Sequence, residues 1–167
     1  MNLIAIFMVL ISASGAAYLI VLKEIRHCTA INTVIRILTA VKNKALFYDK
    51  PFSEIIFDLS MDIENKKVPL LQKFCECIDN GKEIPEAWKE AVLSMSDVLD
   101  FSECQLLIRY GREMFCCNKE ELLETSTSVV DELNECRKKA VQKKNTQSKS
   151  VAAIAVSTGI VFVLMFT

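Results

Sequence analysis

Residues 74–92 read FCECIDNGKEIPEAWKEAV, and the order of apolar, glycine and proline positions in this stretch decides the fold class. Leu70, Leu71, Phe74 and Ile78 recur at steps of three and four, the period of one helix face. Asn80-Gly81 then supplies the kind of stop found where helices end in a left-handed residue. Ile84-Pro85 restarts the chain, because proline suits a first helical turn, where its missing N–H costs nothing. Ala87, Trp88, Ala91 and Val92 repeat the helical step. The stretch therefore predicts one helix, a glycine stop and a second helix. Trp88, the single tryptophan, is expected in the core rather than as an exposed interface anchor.

The same punctuation extends in both directions. Upstream, Ile31, Val34, Ile35, Leu38, Val41 and Ala45 form a helix face that should end near Phe47, where YDKPF intervenes. Pro51 is placed as the first residue of the next helix, with Phe52, Ile55, Ile56 and Leu59 inward and IENKK (63–67) as its breaker. Downstream, Asp100 with Glu103, and Asn118 with Glu121, have the spacing of a capping box. The first of these opens a helix through Leu106, Leu107 and Tyr110 to about Phe115. The second opens a seam of Leu122, Val129, Leu133 and Cys136. No Pro or Gly lies between Asn118 and Gly159, so one helix should run on, with KKNTQSKS (143–150) its weakest stretch. Alternating β-branched runs are absent. The expected class is all-α, a bundle of about six helices.

Charge divides the chain into three. The 20 Lys and Arg and the 21 Asp and Glu residues all lie between Lys23 and Lys149. Residues 1–22 and 150–167 carry none. Eighteen helical residues rise ~27 Å, close to the hydrocarbon thickness of a bilayer. The organisation expected is a transmembrane helix over 1–22, a cytoplasmic helical domain over 23–149 and a second transmembrane helix over 150–167. Lys23 and Arg26 follow the first segment, and Arg137, Lys138, Lys139, Lys143, Lys144 and Lys149 precede the second. Both flanks put the middle on the cytoplasmic side. Small residues four apart, Ser12/Ala16, Ala13/Ala17 and Ala155/Gly159, would let the two segments approach closely.

Several chemistries find no support. Four glycines, at 15, 81, 111 and 159, cannot build a phosphate-binding loop or a dinucleotide fingerprint. His27 is the only histidine. The seven cysteines, at 28, 75, 77, 104, 116, 117 and 136, have neither the spacing of a zinc site nor that of a disulfide scaffold. Most are expected to be small core hydrophobes. The basic run RKKAVQKKNTQSK has no interleaved aromatics, and abutting an apolar segment it reads as membrane-flanking rather than nucleic-acid-binding. No catalytic residue, cofactor site or metal site is assigned.

Three stretches, in order, resemble the stage III sporulation protein AB family. NKALFYDKPFSEII is similar to its Tyr-Gly-x-x-Pro-Leu turn before a helix. FCECIDNGKEIPEAWKEAV is similar to its helix, Gly turn and Glu-Ala-Trp helix. LLIRYGREMFCCNKEELLE is similar to the Gly-containing segment before its final helix. Asp49 and Phe52 stand where the family has Gly and Leu, and Phe115 and Leu122 where it has Gly and Gln. The motif residues Tyr48, Pro51, Gly81, Ala87, Trp88 and Gly111 are expected to be structural.

The resemblance implies a cytoplasmic domain like the F domain of type II secretion platforms, in a channel complex between mother cell and forespore. It implies a non-enzymatic subunit in the outer forespore membrane, docking a stage III sporulation protein AA-like ATPase and other channel subunits. Glu120, Glu121 and Glu124 are the acidic residues offered for that contact, with helix capping as their other role. A generic membrane-anchored adaptor, or a tethered thiol or metal enzyme, are the competing readings.

Overall fold

A computed structural model describes residues 2–48, 50–62, 65, 67–115 and 118–166. Side chains at 2–7, 9–14, 16, 17, 148, 151, 152, 154–156 and 158–166 are outside that description. Six helices follow one another: α1 Asn2–Phe47, α2 Phe52–Met61, α3 Pro69–Asp79, α4 Ile84–Leu93, α5 Phe101–Met114 and α6 Lys119–Phe166. No strand occurs among the described residues. The backbone forms two compact units, Thr29–Arg137 and, separately, Met1–Cys28 with Lys138–Thr167.

The 74–92 stretch folds as its punctuation requires. Gly81 takes φ +76°, and two bonds close the end of α3: Gly81 N–H to the Ile78 carbonyl at 2.9 Å and Lys82 N–H to the Cys77 carbonyl at 3.0 Å. This pair of bonds is the Schellman closure, and its left-handed position costs a glycine nothing. Pro69 and Pro85 both sit in first turns. Ala87, Trp88, Ala91 and Val92 are all buried.

Elsewhere the element boundaries hold with local shifts. Pro51 is not the first residue of α2 but the one before it. Its ψ of 153° is extended, and its carbonyl accepts from the N–H groups of Glu54 and Ile55. The ring fixes φ near the helical value and leaves ψ free, so helical geometry begins at Phe52. On α1, Ile37 is buried and Ile35 only half-buried, and on α3 Cys77 is buried where Ile78 is half-buried. Both capping boxes form: Asp100 with Glu103, and Asn118 with Glu121. α6 stays helical through 143–150, where Thr146 and Ser150 hydroxyls bond back to carbonyls one turn earlier.

The core of the Thr29–Arg137 unit is built from α3 packed on α2 and α4, α4 packed on α5, and buried faces of α1 and α6. At its centre is an aromatic group. The Phe52 ring meets Trp88, Tyr110 and Phe115 edge-on, at centroid distances of 5.7, 5.6 and 5.0 Å. Phe74 meets Trp88 at 6.2 Å. Edge-to-face pairs of this kind add ~0.5–1.5 kcal/mol each beyond burial.

In the other unit Glu24 is buried, its Oε1 2.7 Å from the Lys143 Nζ. Among the described residues no helix is long and apolar enough to cross a membrane. Most side chains of the two expected spans, 1–22 and 150–167, lie outside the described residues.

Candidate interaction surface

The motif residues and the acidic group singled out from the sequence are described, whereas Asp49 and the side chains of Ser12/Ala16, Ala13/Ala17 and Ala155/Gly159 lie outside the described residues. Trp88 is 1% exposed, and its Nε1–H donates to the Leu107 carbonyl at 2.8 Å. The indole lies directly on α5 at Gly111. A Cβ built on Gly111 would fall 2.1 Å from the indole Cδ1 and 2.2 Å from Nε1. A glycine inside a helix costs ~1 kcal/mol relative to alanine, and here it makes the room that the ring occupies. Ala87 is also fully buried. Tyr48 and Pro51 are exposed at the α1–α2 connection. Pro51 and Gly81 thus lie at chain turns, Ala87, Trp88 and Gly111 in the buried core, and Tyr48 is exposed.

The acidic group opens α6. Glu121 Oε2 accepts the Asn118 N–H at 3.1 Å, and Asn118 Oδ1 accepts the Glu121 N–H at 2.9 Å. Glu121 therefore caps its own helix, where a negative charge also suits the positive end of the helix dipole. Glu120 and Glu124, one turn apart on the same helix, are exposed. Together the three form a solvated acidic turn.

The buried thiols among the described residues are core groups more than reagents. Cys28, Cys77 and Cys104 are buried, Cys75 and Cys136 half-buried, and Cys116 and Cys117 lie outside the described residues. Burial pushes the Cys77 and Cys104 thiols up, and nearby carboxylates, Glu90 for the first and Glu103 and Asp100 for the second, push the same way. A nucleophilic thiol needs the opposite shift.

Two features lay outside the reading of the sequence. Ser126 interrupts the α6 seam between Leu122 and Val129, fully buried, with its hydroxyl 2.9 Å from the Tyr110 hydroxyl. A polar residue at a seam position was the available signal. The second is the surface around Glu90, which holds Lys82 and Lys73. The Lys82 bond chiefly draws the Glu90 carboxyl below its ordinary range, as Lys50 does for Asp58 at 2.8 Å.

Among the described residues the Thr29–Arg137 unit is all-α, centred on an aromatic group, and entered and left by two long helices. The family profile of stage III sporulation protein AB matches residues 2–167. The chain belongs to that family. No curated protein matches it. Among solved structures it is similar to a stage III sporulation protein AB at 16% identity and a TM-score of 0.55, over 72% of this chain and 98% of that one. At such identity the likeness speaks for the fold. The family is defined by sporulation and not by a reaction, so a part in sporulation is the functional statement that membership supplies. Phe52 is the ring that touches Trp88, Tyr110 and Phe115.

Proposed function

We propose that this chain is a non-enzymatic membrane platform subunit of the sporulation channel between mother cell and forespore. Its 1–22 and 150–167 segments anchor it in the outer forespore membrane, and the 23–149 domain faces the mother-cell cytoplasm. There it docks a secretion-type ATPase, a relative of stage III sporulation protein AA, and other channel subunits. The observation that carries this reading is the family match through 2–167, which joins both charge-free ends to the helical domain in one sporulation protein. The basic residues bordering each end support the orientation.

The acidic turn of α6 is the surface we assign to the ATPase contact. Because Glu121 also caps α6, the test separates the two roles: Glu120→Lys and Glu124→Lys are combined with Glu121→Gln, which keeps the capping geometry. Pull-down against the ATPase is expected to weaken with this variant and with raised salt, while the melting temperature stays in place. Normal binding by the variant would put the contact elsewhere. Orientation is read with a cysteine introduced at exposed Ser96. An impermeant maleimide should label it only after lysis.

A further inference from the structure

A groove of about 230 Å³ opens in the Thr29–Arg137 unit, lined by α2, α3 and the start of α4. Phe74 is buried within it, whereas Phe57 of α2 and Ile84 of α4 remain 43% and 37% exposed. Ile78, Ser53, Glu54 and Asp58 complete the lining. Its apolar residues come from three helices, and its charge has a single sign. Glu54 and Asp58, one turn apart on α2, are the ionic residues of the lining. Lys50 takes Asp58 Oδ2. The Glu54 carboxylate is exposed and near enough to Lys50 to act on it electrostatically, while Lys50 makes its hydrogen bond to Asp58.

Size and charge together select an occupant. Pockets that enclose small molecules run to ~300–1,000 Å³, and this groove is smaller and open, with space for one large apolar side chain. Its carboxylates repel nucleic acid and anionic headgroups and attract a cation. We propose that the groove docks a basic amphipathic segment of a partner protein. Such a segment places one large apolar side chain against Phe57, Phe74 and Ile84, and a Lys or Arg one turn away on Glu54. This is the helix-in-groove mode of recognition, with the apolar anchor supplying affinity and the charge supplying register. It stands independently of the acidic turn on α6, and neither requires the other.

The experiment uses the full chain in phosphatidylcholine nanodiscs, with empty discs as the lipid control. The probe is a labelled helical peptide of Leu, Lys and Ala with one apolar face, compared with a counterpart carrying Glu for Lys. Fluorescence anisotropy is expected to show binding of the Lys peptide and about tenfold weaker binding of the Glu peptide. Glu54→Lys should weaken the Lys peptide by about tenfold and favour the Glu peptide. Ile84→Ser should weaken both, and the circular dichroism spectrum should be unchanged in each variant. The α6 variant carrying Glu120→Lys, Glu121→Gln and Glu124→Lys should bind the Lys peptide like wild type. Lys-peptide binding indifferent to Glu54→Lys and Ile84→Ser, or abolished by the α6 variant, would overturn the proposal. So would a chain dimer on sedimentation that Glu54→Lys dissociates, because the groove would then belong to a second copy.

Discussion

In the Thr29–Arg137 unit most large apolar side chains are buried, whereas residues 1–22 and 150–167 are set apart by carrying no charged residue. Within the unit, α2 to α5 carry buried positions at steps of three and four and charged residues between them. The ends carry no charged position to mark a face. The difference teaches that hydropathy alone does not specify packing: within the unit the spacing of charged and apolar positions shows which residues turn inward.

The comparison can be broken most directly at Trp88. Trp88→Ala removes a buried ring, its bond to the Leu107 carbonyl and its edge contacts with Phe52 and Phe74. A loss of ~3–5 kcal/mol is expected, read as a large fall in the denaturation midpoint of the chain. An unchanged midpoint would mean that the aromatic centre is not what holds the unit together.

Ser126→Ala is a smaller test of the same idea. It removes the hydroxyl that lies 2.9 Å from the Tyr110 hydroxyl, and a loss of ~0.5–1.5 kcal/mol, that of one hydrogen bond, is expected. Tyr110→Phe combined with Ser126→Ala removes both partners and should cost less than the sum of the two single changes. Additive costs would show that the hydroxyls do not interact. On the membrane-anchor reading proposed above, exchanges in the ends such as Ile154→Leu or Val161→Leu should leave membrane sedimentation of the full chain unaltered.

The weakest expected effect comes from the exposed ion pairs. Lys82 with Glu90, and Lys50 with Asp58, lower the carboxyl pKa values in the folded state. The stability they contribute is present above the ordinary carboxylate pKa, about 4, and is lost as pH falls through the lower folded values. Thermal melts should therefore be level from neutral pH down to about 5 and decline gently below about 4. Glu90→Gln should flatten part of that decline. An equal decline in the variant would assign it to other carboxylates.

The elements were legible because their boundaries are local chemistry. Asn80-Gly81, Ile84-Pro85, Asp100 with Glu103 and Asn118 with Glu121 act within a turn of themselves, so neighbours in sequence suffice to place them. The inward face of α4 was equally plain. What could not be read were contacts made across the fold. Ser126 looks like an interruption of the α6 seam until Tyr110 is seen opposite it. Phe52 looks like one more apolar position of α2 until three rings are seen around it. The choice of Ile37 over Ile35 turns on which neighbours the face of α1 meets. The groove is least legible of all, since its lining is drawn from three helices and Phe57 has no mark in sequence that separates it from a core residue.

Gly111 and Trp88 also constrain how this protein can change over generations. While the indole is in place, any side chain at 111 collides with it, and replacing the glycine first meets the full clash. Replacing the tryptophan first opens space into which alanine could then settle at 111. The two positions are therefore coupled in order as well as in identity. A lineage that leaves this pairing must pass through the loss of Trp88 before it can gain a better helix former at 111, and along the way it carries the less stable intermediate.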